Sequence, residues 1–108
     1  RSFRTGRLHV NLNPPTIADG TRTPYIGRYT FPMIRRHTDE IVTMSEAQIA
    51  RATMFCLETL RLVVEPSGAL GVAGAIAHAC PGARVGVIVS GGNLDLDTIP
   101  EIRRIAGE

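Results

Sequence analysis

The chain has 108 residues, a formal net charge of +2, 44% apolar and 20% charged residues, a composition ordinary for one globular domain or part of one. A chain of that length buries roughly two-thirds of its unfolded surface. Its basic residues are scattered, which excludes a nucleic-acid footprint, and no apolar run approaches the ~18 residues that would span a membrane.

Residues 1–29, rich in Gly, Pro, Thr and Arg, read as mostly loop. Asn13-Pro14-Pro15-Thr16 demands an extended path, because a residue before proline avoids the α region. Ile17-Ala18-Asp19-Gly20-Thr21 reads as a short turn in which Gly20 is free to take an unusual dihedral. From residue 30 to residue 108 the pattern is α/β. Thr30 is placed to cap a helix over 31–38, with Pro32 tolerated in its first turn. Residues 40–44 form a short strand candidate. Ser45 and Gln48 then have capping-box spacing. They predict a helix running to about Leu62, with Ile49, Ala52, Met54, Phe55, Leu57 and Leu60 on a broad apolar face.

Pro66 is placed in the first turn of a second helix over about 66–79, dominated by Ala and Gly. Gly68, Gly71 and Gly74 each weaken it by roughly 1 kcal/mol relative to alanine, a cost that close packing against a strand or another backbone would offset. Pro81-Gly82 turns the chain into a strand over 84–90, and a last helix covers about 98–106. Alternating helices and strands imply an α/β fold with a partial parallel sheet and packed helices. Two or three short strands rarely complete such a sheet, so the chain reads as part of a larger one.

The densest signal is Val85-Gly86-Val87-Ile88-Val89, an apolar run that stops at Ser90 and is followed by Gly91, Gly92 and Asn93. A buried parallel strand whose carboxyl end opens onto a ligand has this form. The glycines permit positive φ and a close approach of backbone to a bound group. Ser90 and Asn93 are the polar groups that would orient it. A plain strand-to-loop turn is the alternative. Likewise Glu65 suits a helix amino terminus through the dipole, and Asp19-Gly20 is an ordinary turn pair.

His9, His37 and His78 lack metal-ligand spacing. Cys56 and Cys80 read as reduced, inert small hydrophobes. With no signal peptide visible, a cytoplasmic location is expected. All 12 basic residues are arginines, so the chain offers no lysine for covalent or base chemistry. A chain opening on Arg1 reads as a fragment or a processed product.

Three segments in order, Thr16-Ile17-Ala18-Asp19-Gly20-Thr21, Val63-Val64-Glu65-Pro66-Ser67-Gly68 and Val89-Ser90-Gly91-Gly92-Asn93-Leu94-Asp95-Leu96, resemble the threonine dehydratase and serine racemase family. Residues 30–34 and 39–46 are similar to it as well. These are pyridoxal-phosphate enzymes of the tryptophan-synthase-β type, fold type II. The resemblance covers nearly the whole chain but only the carboxyl-terminal third of a typical member.

It implies that Ser90 hydrogen-bonds the pyridine nitrogen of pyridoxal 5'-phosphate. It also implies that Gly91, Gly92 and Asn93 shape the turn beside the ring, and that Gly20 lies against the cofactor edge. Asp19 would sit on the substrate side, and Glu65 would be a polar group near the ring plane. A neutral hydroxyl does not keep the ring nitrogen protonated, which makes the cofactor a weaker electron sink and favours β-elimination.

The family's Schiff-base lysine, glycine-rich phosphate cradle, substrate-carboxylate loop and divalent-metal ligands would all lie upstream of this chain. The implied function is a lyase that forms a 2-oxoacid and ammonia from a small 3-hydroxy amino acid, with the isolated chain inactive. Serine racemase-type activity, hydroxyaspartate lyase activity and a non-catalytic remnant or interaction module are the alternatives. A homo-oligomer or an upstream catalytic segment is the expected partner, with neither nucleic acid nor membrane.

Overall fold

A computed structural model describes residues 1–78 and 81–107 of the chain. Helices α1 (Ser2–Thr5), α2 (Thr30–His37), α3 (Glu46–Glu58), α4 (Leu70–Ala77) and α5 (Ile99–Ala106) appear in that order. Single 3-10 turns cover Asp19–Thr21 and Leu96–Thr98. Among the described residues no helix is long and apolar enough to cross a membrane.

The best-specified element is α3. Ser45 Oγ accepts the Gln48 N–H at 3.3 Å, and the Ser45 N–H donates to Gln48 Oε1 at 2.8 Å, so the expected capping box forms. The helix then packs against α4 on one side and α5 on another. Toward α4, the buried residues Ala52 and Cys56 join Val64, Ala69, Val72 and Ala73, with Met44 at the margin. Toward α5, Ala50 and Met54 join Ile102 and Ala106, flanked by Ile17, Leu57, Leu94 and Ile99. Small residues on both faces let the neighbouring helices approach closely. Met54, fully buried, is the largest side chain in this core, and its burial contributes about 2–3 kcal/mol.

Several expectations need correction. Phe55 and Leu60 are exposed: Phe55 lies between the two packed faces of α3, and Leu60 lies beyond the end of that helix. The helix stops at Glu58 rather than Leu62, as Arg61 turns left-handed (φ 59°) and the Leu62 N–H donates to the Cys56 carbonyl. Thr30 lies inside α2 instead of capping it, its hydroxyl donating to the Gly27 carbonyl at 3.0 Å. Asn13 is not extended; it takes φ 48°, a conformation in which asparagine is at home. Residues 66–69 form a turn ahead of α4 rather than its first turn. The expected end of that helix at Ala79 and the Cys80 thiol lie outside the described residues.

The sheet is the larger correction. Among the described residues there is no strand: 40–44 and 84–90 carry no strand pairing. A strand exists only through a ladder with a neighbour, and neither segment has one among the described residues. The expected buried strand is therefore exposed instead, with Ile88 at 84%. Two glycines nevertheless bring α4 and the turn ahead of it against this part of the chain. A Cβ on Gly71 would stand 2.9 Å from the Ile88 carbonyl oxygen, and one on Gly68 would stand 2.7 Å from that of Gly91. Gly74 has open space instead.

Candidate functional site

The turn Glu65–Gly68 is where separate parts of the chain meet. The Glu65 N–H donates to the Gly91 carbonyl at 3.2 Å. A side chain on Gly68 would collide with the backbone of Ser90 and Gly91, and one on Gly92 would stand 2.7 Å from the Val63 carbonyl oxygen. From the other direction, the Gly20 N–H is shared between Asp19 Oδ1 (2.8 Å) and Ser67 Oγ (2.9 Å). Segments 16–21, 63–68 and 89–96 are thus contiguous in space. Each close approach occurs at a glycine: a side chain on Gly68 or Gly92 would meet backbone, and one on Gly20 would meet the Ser67 side chain.

Local chemistry shapes each segment. The loop at 16–21 is folded on itself: the Ala18 N–H donates to Thr16 Oγ1 at 3.1 Å, and Thr21 Oγ1 donates to the Ala18 carbonyl at 2.7 Å. Arg22 reaches back so that its guanidinium donates to the Thr16 carbonyl, with Nε at 3.1 Å. Ala18 is fully buried beneath this loop, which the Ile17 N–H also ties to Glu46 Oε2 at 2.7 Å. Beyond Asn93, Asp95 caps the 3-10 turn by accepting the Asp97 N–H at 3.0 Å, which delivers the chain into α5.

A cavity of about 270 Å³ lies alongside, and Asp19, Glu65 and Asn93 line it together. Arg22, Asp95, Thr98 and Glu101 contribute further polar groups, and Ile17, Leu94 and Ile102 give it an apolar part. Glu101 is held by Arg104, whose guanidinium donates to both its oxygens at 2.8 and 2.5 Å. That hydrogen bond holds the Glu101 carboxyl below the usual carboxylate range.

The sequence-predicted residues therefore divide. Asp19, Glu65 and Asn93 share the cavity, whereas Gly20, Ser90, Gly91 and Gly92 stand around the Glu65–Gly68 turn outside its lining. Ser90 is exposed, and its hydroxyl has no hydrogen-bond partner among the described residues. Gly91 has φ 125°, a conformation that favours glycine, as its place in the motif led one to expect. Ser67 and Glu46 escape a reading of candidate residues, because each acts by holding backbone 47 and 29 positions away. Membership of Ser67 in the second motif is the one signal that pointed to it. Among the described residues, no three His, Cys, Asp or Glu side chains converge as a metal site would require.

Comparison with known proteins places this arrangement. Residues 1–91 match the family model described as pyridoxal-phosphate dependent enzyme. The chain is 42% identical over 100 residues to L-threo-3-hydroxyaspartate ammonia-lyase of Pseudomonas sp, covering 90% of this chain and 31% of that protein. It is 39% identical over 100 residues to serine racemase of Schizosaccharomyces pombe, again covering 90% of this chain and 31% of that one. Among solved structures, maize serine racemase superposes with a TM-score of 0.81 at 34% identity, covering 95% of this chain and 34% of the other. The chain thus spans about a third of the length of each of these proteins. The structures it resembles are fold-type II enzymes, and the chain corresponds to a portion of that fold. With most of its length inside the family model, this chain belongs to the pyridoxal-phosphate dependent enzymes.

Proposed function

We propose that the chain is the carboxyl-terminal part of an ammonia-lyase that converts a small 3-hydroxy amino acid to a 2-oxoacid and ammonia. The observation that carries this reading is the meeting of three separate segments at the Glu65–Gly68 turn, with the Ser90 hydroxyl open beside it. The donor set fits the nitrogen side of pyridoxal phosphate: a neutral hydroxyl, two glycines that keep the surface low, and a neighbouring carboxylate. It does not fit the phosphate. The adjoining cavity sets Asp19, Glu65 and Asp95 against the guanidinium of Arg22, with Glu101 already paired to Arg104, and this excess of carboxylates repels a dianion.

When bound, the cofactor supplies the electron sink for charge at the substrate's α-carbon. In this reading Ser90 would hydrogen-bond the ring nitrogen without charging it. Gly91, Gly92 and Asn93 would form the turn beside the ring, and Gly20 would lie at its edge, although the space of its missing Cβ is taken by Ser67. Asp19 faces the substrate, and Glu65 supports the ring as a neighbouring polar group. The phosphate cradle, the lysine and any divalent metal belong to an upstream segment. Without a lysine the chain alone is inactive.

Exposed Val85, Val87, Ile88 and Val89 form the surface that strands of such a segment, or of a second copy, would cover. Racemisation of serine is the second reading, supported by the serine racemase relatives; it begins with the same α-proton abstraction. A non-catalytic interaction module is the third, and the missing lysine favours it.

The test is an assay of 2-oxoacid release with pyridoxal phosphate and L-threonine, L-serine or L-threo-3-hydroxyaspartate. The chain is assayed alone and mixed with a lysine-bearing segment of a family member. The expected result is no turnover alone and turnover on mixing. Turnover by the chain alone overturns its assigned dependence on a partner. A mixture that associates but takes up no cofactor overturns the lyase reading in favour of an interaction module.

A further inference from the structure

We propose that Ser67 is a positioning residue for the substrate-side wall: its hydroxyl ties the Asp19–Gly20 turn to the turn that carries Glu65. This inference rests on the reading of Asp19 and Gly20 as substrate- and cofactor-side residues. The loop at 16–21 has two side-chain tethers from elsewhere in the chain. Glu46, at the start of α3, accepts the Ile17 N–H at 2.7 Å, and Ser67, ahead of α4, accepts the Gly20 N–H at 2.9 Å. Ala18, fully buried, is pinned between them. Burial and Glu46 hold the amino-terminal half of the loop, but at Gly20 the remaining acceptor is Asp19 Oδ1, which belongs to the loop itself. A contact within the loop cannot fix the loop relative to Glu65. Ser67 can, because Gly68 beside it is packed on the backbone of Ser90 and Gly91.

The shared Gly20 N–H has a second consequence. Asp19 and Ser67 compete for one donor, so Ser67 sets how firmly the Asp19 carboxylate is drawn back onto its own turn. Removing the hydroxyl gives that donor wholly to Asp19 and turns the carboxylate away from the substrate side. The expected effect falls on substrate recognition rather than on cofactor retention, since neither Ser67 nor Gly20 reaches Ser90 through a side chain.

The experiment compares the wild-type chain with Ser67→Ala, Ser67→Thr and Glu46→Ala. Amide hydrogen exchange by NMR on the full chain reads the tether directly. In Ser67→Ala the Gly20 amide should exchange severalfold faster, because the acceptor left to it, Asp19 Oδ1, belongs to the loop and opens with it, while amides of α3 keep their rates. Ser67→Thr, which keeps the hydroxyl, should restore protection, and Glu46→Ala should release Ile17 rather than Gly20. Unchanged Gly20 exchange in Ser67→Ala overturns the tether.

On the chain mixed with its lysine-bearing segment, Ser67→Ala should raise KM several-fold more than it lowers kcat. Pyridoxal-phosphate affinity should stay within about twofold, and Ser67→Thr should recover the wild-type KM. Faster Gly20 exchange with an unchanged KM makes Ser67 a structural tether and overturns its positioning role. If the wild-type mixture takes up no cofactor, the lyase reading fails and the positioning role with it, whereas the Gly20 exchange rates still decide the tether.

Discussion

The Glu65 carboxylate occupies the space that a side chain on Gly91 would need, while the Glu65 N–H donates to the Gly91 carbonyl at 3.2 Å. The two residues are locked together by backbone on one side and by the missing Cβ on the other. Gly91→Ala should therefore destabilise the chain. Glu65 is a flexible side chain and can swing aside, so the main loss is the φ of 125°, worth about 1–3 kcal/mol. A lowered urea midpoint checks this, and an unchanged midpoint would show that the Gly91 conformation is not held.

The glycines around α4 should part company under the same substitution. At Gly68 a methyl would meet the Gly91 carbonyl oxygen at 2.7 Å, backbone against backbone, so Gly68→Ala should cost about 1–3 kcal/mol. At Gly74, within the helix and facing open space, alanine should stabilise by up to about 1 kcal/mol. Thermal melts of the two variants should move in opposite directions.

Burial pushes the Cys56 thiol above its ordinary range, so it stays protonated at neutral pH and out of reach of electrophiles. Its alkylation by iodoacetamide should therefore be slow in the folded chain and rise steeply in urea. The sign of the stability effect follows. The raised folded-state value means that the unfolded chain releases its proton first as pH climbs. Stability is whole below the ordinary thiol range and falls as pH rises through the folded-state value. Cys56→Ala should remove this alkaline loss, and urea midpoints taken across alkaline pH would reveal it.

Ile88 is the most exposed of the four apolar residues from Val85 to Val89. Ile88→Glu should reduce self-association of the chain, measured by sedimentation velocity, and should leave stability within about 0.5 kcal/mol. The same change should block association with a strand-bearing partner segment. Unaltered self-association would mean that copies of the chain meet through another surface.

What the sequence disclosed was local. Ser45 and Gln48 announced the start of α3 because a capping box is closed within four residues. The glycines at 68 and 71 announced a close backbone neighbour, and Ile88 and Gly91 proved to be that neighbour. Sheet pairing was not legible in this way, since a ladder depends on residues far away, and among the described residues 40–44 and 84–90 find no such partner. Phe55 misled for a related reason: periodicity marks it as an apolar-face residue but does not say which faces of α3 find a helix to cover them, and Leu60 misled because the helix ends before it. At the site, the motif glycines were visible as residue types. The Ser67–Gly20 bond was not, because nothing local couples positions 47 apart.

The contacts of Gly68 and Gly71 carry a mechanical consequence. Gly71 of α4 and Gly68 just ahead of it lie directly against the carbonyls of Ile88 and Gly91, with the Val87 side chain beside Gly71. Through these contacts α4 would take up part of any displacement of residues 84–90. Its other side bears on Ala52 and Cys56 of α3, so a strand docking at one edge of the molecule is felt as a shift in the helical packing at the other.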